Sequence, residues 1–260
     1  YQALLLNTAA GSTAVGSGAL DANTSGVGNT AVGYAALTAN TTSGDSTAVG
    51  YNALALNTAA GNTAVGSGAL DANTSGASNT AVGYAALSAI STNGNCTAVG
   101  YNALAATTGA DNTAVGANAL DTNTTGARNT AVGSSALTGA GTADTDNTAV
   151  GYNALATNSG GNFNTAIGSL ALDANTTGST NTAVGRGAMG ANTTGSLNVA
   201  LGAFALASNV YGNNNIAIGN QALMRNKSTT NSTAVGYQAL YNNDFDGSAF
   251  AINNTAIGYQ

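Results

Sequence analysis

Asn29-Thr30-Ala31-Val32-Gly33 is the first complete copy of a phrase that recurs, with small changes, to the end of the chain. Its closing glycine falls at Gly16, Gly33, Gly50, Gly66, Gly83, Gly100, Gly116, Gly133, Gly151, Gly168, Gly185, Gly202, Gly219, Gly236 and Gly258. Successive glycines lie 16 to 18 residues apart, until a last step of 22. A fixed period of this size marks a solenoid, in which stacked units touch only their neighbours. The 260 residues are therefore read as one elongated repeat body, not as two globular domains.

One unit shows how the phrase works: Asn79-Thr80-Ala81-Val82-Gly83-Tyr84-Ala85-Ala86-Leu87-Ser88-Ala89-Ile90. Thr80 to Val82 reads as a short strand, with β-branched residues on either side of Ala. Gly83 ends it. A glycine at one place in every copy points to a backbone angle, or a close approach, that a Cβ would forbid. The following x-x-Ala-Leu piece reads as a second short strand or an extended turn. A helix there would be too short to hold in water, because polar, glycine-containing segments interrupt it. The loops, such as Asp71-Ala72-Asn73-Thr74-Ser75-Gly76, are built of turn formers. The expected class is all-β, with about 17 residues per coil.

Variation within the phrase indicates burial. The Thr place becomes Val199 and Ile216; the Val place becomes Ile167, Leu201, Ile218 and Ile257; the middle place stays Ala. Residues two apart share a strand face, so Thr and Val line one side and Ala the other. Neither side carries charge, which predicts that both are covered. The conformational entropy of ordering a coil exceeds what burying one Val and one Leu returns. An obligate oligomer is therefore expected, with one face of each stack packed on its copies. If each unit is one coil, fifteen phrases make a rod of roughly 70 Å. A weaker period of about fifty residues (Tyr1 to Gly50 resembles Tyr51 to Gly100) leaves open a wide triangular helix with three units per turn.

Composition excludes several classes of function. Lys and Arg total four against ten acids, a net charge of −6, so a phosphate-tracking surface for nucleic acid is not expected. No apolar run is long enough for a membrane-spanning helix. With no His, and with Asp as the sole carboxylate, His-based triads and the common metal sites are excluded. No enzyme activity and no cofactor are expected. Cys96 is the single cysteine and reads as a tolerated small residue. Asp21, Asp71, Asp121 and Asp173 recur two residues before an Asn; turn capping explains them better than Ca²⁺ binding. Asn-x-Ser/Thr sequons occur at Asn23, Asn40, Asn73, Asn95, Asn123, Asn175, Asn192, Asn226, Asn231 and Asn253, and most are expected in outer loops. The last step carries an inserted loop over 241–250. Within it Tyr241, Asp244, Phe245, Asp246 and Phe250 form a candidate surface contact, because insertions in repeat arrays map to one surface. The chain starts and stops in mid-phrase, at Tyr1-Gln2 and Tyr259-Gln260, and is read as a shaft segment of a longer protein.

Asn215-Ile216-Ala217-Ile218-Gly219 and Asn198-Val199-Ala200-Leu201-Gly202 resemble the head repeat of trimeric autotransporter adhesins of the YadA type. The fuller form, N-T-A-V-G-Y-x-A-L with an N-T-T-G loop, is similar to shafts of phage tail fibres and bacterial surface proteins. The units here are longer than the usual head repeat, and Thr often replaces its first aliphatic residue. The resemblance implies a left-handed parallel β-roll wound as a homotrimer and displayed outside the cell, on a bacterial surface or a virion. Its partners would be its own copies and a host-surface protein or glycan.

The expected function is thus a structural, adhesive fibre. Two others stay open. An ice-binding solenoid would use the Thr row at Thr13, Thr30, Thr47, Thr63 and Thr80, although Val199 and Ile216 suggest that this row is buried. A carbohydrate-active, tail-spike-like fibre would need paired carboxylates such as Asp244 and Asp246.

Overall fold

A computed structural model describes residues 3–139, 141, 143–243 and 253–259. The chain forms two compact units, Tyr1–Arg128 and Asn129–Gln260. Each is an all-β parallel solenoid, with no helix among the described residues. The first holds β1 (Thr13–Val15), β2 (Thr30–Val32), β3 (Thr47–Val49), β4 (Thr63–Val65), β5 (Thr80–Val82), β6 (Thr97–Val99) and β7 (Thr113–Val115). The second holds β8 (Thr130–Val132), β9 (Thr148–Val150), β10 (Thr165–Ile167), β11 (Thr182–Val184), β12 (Val199–Leu201), β13 (Ile216–Ile218), β14 (Thr233–Val235) and β15 (Thr255–Ile257).

Within each unit every strand pairs in parallel with the next, place for place: Thr30 with Thr47, Ala31 with Ala48, Val32 with Val49. The same register holds where the phrase changes, with Val199 opposite Ile216 and Leu201 opposite Ile218. One phrase is therefore one coil of about 17 residues. The triangular helix of three units per turn is overturned, because strands one phrase apart are hydrogen-bonded neighbours.

The phrase glycine is required for both of the reasons the sequence suggests. Gly202 has φ +136°, and a Cβ built on it would stand 2.6 Å from the Gly219 carbonyl of the next coil. Neither the angle nor the distance admits a side chain. The Ala-Leu piece is a run of turns, not a second strand. Ala85 and Leu87 both take left-handed angles, φ 50° and 56°, and the pattern repeats along the chain. Such angles cost about 1–2 kcal/mol for a residue with a Cβ. Two gains offset this. Ala85 N–H donates to Ser67 O and Leu87 N–H to Ala103 O, both at 3.0 Å, so bonding between coils continues around the turn. The Leu87 side chain is also driven fully into the core.

The core is narrow and partly polar. A typical interior coil buries the strand Ala, the Ala-Leu pair and two Asn side chains; Ala31, Ala36, Leu37, Asn29 and Asn40 all have no exposed surface. The Val place is not part of it. Val65, Val82 and Val115 each stay 37% exposed, and the Thr places are half-buried. The expectation that both strand faces are covered fails for the single chain: Ala faces inward, and the Thr/Val face turns outward. The Thr row is correspondingly not buried within one chain.

The two Asn columns supply what the small apolar residues cannot. In the first, a loop Asn donates its amide to the side-chain oxygen one coil back, as Asn175 does to Asn158 at 2.7 Å and Asn192 to Asn175 at 2.8 Å. It also closes its own loop, Asn192 Nδ2 to Gly195 O at 2.9 Å. In the second, the phrase Asn accepts a backbone N–H from the next coil, as Asn164 does from Asn181 at 3.0 Å, and donates to that coil's loop, Gly178 O, at 2.8 Å. A buried amide needs such partners, and stacking supplies them wherever the neighbouring coil carries the matching Asn. The sequon reading is corrected here. Asn23, Asn40, Asn73, Asn123, Asn175, Asn192 and Asn226 are fully buried column residues, not outer-loop sites. Asn95, Asn231 and Asn253 are exposed.

Candidate functional site

The repeat glycines form a backbone seam and present no side chain to a ligand. Of the candidate contact loop, Tyr241 is half-buried beneath Arg225, whose guanidinium carbon lies 5.5 Å from the ring centroid. It lines a recess of about 400 Å³ with Gln238, Leu240, Asn242 and Asn243. Asp244, Phe245, Asp246 and Phe250 lie outside the described residues. Cys96 fills the place of a phrase Asn. Its backbone N–H bonds to Asn79 Oδ1 at 3.0 Å and its thiol to Gly109 O at 3.3 Å, and burial pushes the thiol pKa up.

The capping aspartates sit where the Ala-Leu turn meets the loop. Burial raises the carboxyl pKa of Asp71, Asp121 and Asp173, and hydrogen bonds from each residue's own and the following backbone N–H partly offset the rise. That hydrogen bonding is the work of a turn cap. Asp144 is different. It is almost fully buried; its backbone stands at the place of Gly126 and Gly161, and its carboxylate serves the column as an acceptor, from Asn158 Nδ2 at 2.7 Å and from Gly141 N–H at 2.9 Å. Burial raises its pKa too, against those two bonds.

The structure also reveals a surface feature that sequence reasoning missed. In several coils the residue after the phrase glycine is Tyr, and these rings stack along the outside. Tyr34 and Tyr51 stack with centroids 5.3 Å apart and planes 11° from parallel; Tyr84 and Tyr101 stack at 5.5 Å and 11°. All four rings are more than half exposed. The column is interrupted between the two pairs, where the intervening coil carries Ser67-Gly68. That coil is bonded on both sides, Gly68 N–H to Tyr51 O at 2.9 Å and Ala85 N–H to Ser67 O at 3.0 Å. The break leaves a cleft of about 300 Å³. Tyr51 and Asn52 line it from one coil, Ser67, Gly68 and Asp71 from the next, and Tyr84, Ala85 and Ser88 from the third. The signal was available as Tyr34, Tyr51, Tyr84 and Tyr101 at one repeat position, with Ser67 between them.

Two surfaces therefore stand out: the uncharged Thr/Val face of the strands, which runs in register along each unit, and the interrupted tyrosine column. The first can pack against an apolar face, and the second can hold a ring. In the comparisons with known proteins, no family model matches the chain. No curated protein matches it either.

Proposed function

We propose that the chain is the shaft of a non-enzymatic, extracellular adhesive fibre, a left-handed β-roll that trimerises through its Thr/Val faces and is displayed on a bacterial surface or a virion. The observation that carries this reading is the outward strand face. Val32, Val49, Val65 and Val82 form one uncharged row in register, and each keeps part of its surface exposed. A half-exposed apolar row of this kind gains by association. In-register strands with a repeating face let identical copies meet identically at every coil, so closed symmetry satisfies the whole length at once. The resemblance to trimeric adhesin heads supplies the number three and the hand of winding.

Equilibrium sedimentation tests the reading. A mass three times the 24.8 kDa chain is expected across the accessible concentration range. A folded monomer would end the proposal.

A second reading draws on the same face. The Thr and Val rows stay half-exposed on a regular parallel sheet, as an ice-binding solenoid would need. Thermal hysteresis by a monomeric chain would favour it; a trimer without hysteresis favours the fibre.

A further inference from the structure

We propose that the cleft between Tyr51 and Tyr84 is a binding site for a single sugar ring, held between the two tyrosine faces with its hydroxyls on Asp71 and the neighbouring polar groups. This deepens the adhesive-fibre reading and rests on it in one respect: the tyrosine column must remain outside the assembly.

The argument begins with spacing. Tyr51 and Tyr84 lie two coils apart, and coils of a parallel sheet repeat at about 4.8 Å, so the two rings face each other across about 10 Å. Adjacent rings in this column settle at 5.3 and 5.5 Å. One inserted ring therefore sits about 5 Å from each tyrosine, at the spacing the column already uses for its own members. The Ser67 coil would have to supply that ring and does not. The next position is also minimal there: Gly68 stands where the flanking coils have Asn52 and Ala85. A Cβ built on Gly68 would come no closer than 3.9 Å to Asp71 Oδ2, so the floor is open toward the carboxylate.

Chemistry selects the class of ring. Both walls are electron-rich π faces, which attract polarised C–H groups and cations. The rim is mostly neutral and hydrogen-bonding: the Asn52 amide and the Ser67 and Ser88 hydroxyls, with Asp71 as the one carboxylate. A sugar uses all of these, stacking its C–H faces and donating hydroxyls to Asp71 and Asn52. An anionic ligand is repelled by Asp71, and a purely apolar one leaves the rim groups unpaired. An organic cation would use the walls and Asp71 but not the hydroxyls and amide, so it is the rival that the test must separate. The volume, about 300 Å³, is at the lower end of ligand pockets and suits one ring better than a chain of them.

The test uses the full chain in its native assembly. The methyl glycosides of glucose, galactose, mannose and N-acetylglucosamine are titrated individually, alongside tetramethylammonium. Binding is read by saturation-transfer NMR and by tyrosine emission, which no Trp obscures in this chain. At least one glycoside is expected to bind saturably, with a Kd in the millimolar range. Ser67→Tyr fills the gap with the residue its neighbours carry and should abolish binding while leaving the unfolding temperature and the sedimentation mass unchanged. Tyr84→Ala removes one wall at an exposed position and should weaken binding at least tenfold. The proposal is overturned if no glycoside binds saturably, if Ser67→Tyr and Tyr84→Ala both bind as the parent does, or if only tetramethylammonium binds. Sedimentation reads the fibre proposal separately: a trimer that binds no sugar sinks the site alone, and a sugar-binding monomer sinks the trimer alone.

Discussion

The loop-Asn column behaves differently in the two units. In the coils of Asn175, Asn192 and Asn209 each amide donates one coil back, at 2.7 to 2.8 Å, without a break. In Tyr1–Arg128 the column falters. Ile90 takes an Asn place and Thr107 the next, and both are fully buried. Asn73, one coil before Ile90, is left with its Oδ1 buried and unpartnered. Asn40 Oδ1 is likewise unpartnered, where the following coil is one residue shorter and the Asn57 amide turns to Ala59 O at 2.7 Å. The fold survives both faults with strands and register unchanged. The amide column thus adds stability coil by coil, while the glycine seam and the Ala-Leu turn set the path.

That ranking can be broken by mutation. The seam is common to both units, so Gly83→Ala and Gly202→Ala should be equally severe. Each forces a Cβ into the next coil's backbone at a left-handed angle, and a loss of more than about 3 kcal/mol in unfolding free energy is expected by chemical denaturation. Equal tolerance of both substitutions would show that the seam does not direct the chain.

Exchanging the column residues should be asymmetric. Asn192→Ile strands Asn175 Oδ1, leaves Gly195 O with the Asn181 amide as its donor, and takes the acceptor from the Asn209 amide; a loss of about 2–5 kcal/mol is expected. Ile90→Asn gives Asn73 Oδ1 a donor but forfeits the burial of an isoleucine, and these oppose each other to within about 1 kcal/mol. Equal and opposite effects would mean that the column acts as a simple sum of pairs.

The smallest effect is expected at Asp144, where a carboxylate stands in the amide column. Its folded-state pKa is raised by burial, so the folded chain holds the proton more tightly than the unfolded one. Stability at this residue therefore falls as pH rises from the ordinary Asp range through the raised value, and the penalty is absent below that range. Asp144→Asn should stabilise the chain at neutral pH, and the gain should shrink to nothing as the solution is acidified. A gain independent of pH would remove the carboxylate as its cause. Thermal unfolding across a pH series reads both cases.

The sequence alone determined the repeat unit and its short strand. The glycine spacing, the invariant Ala and the β-branched flanks specify one short strand per phrase, because only a stacked repeat satisfies a strict period of about 17 residues. It also marked the glycine seam, because a residue retained at one place in every coil carries a steric demand. Three matters were decided only in three dimensions. Leu87 and its equivalents adopt left-handed angles, which no propensity of Leu announces; burial and bonding between coils outweigh the local cost. Asn73 and its equivalents look like loop residues, yet they face inward, because stacking brings a partner amide within reach from a residue far away in the sequence. The Tyr51–Tyr84 cleft exists because coils stack at a fixed height, so that Ser67 in place of a tyrosine leaves a space the thickness of a ring.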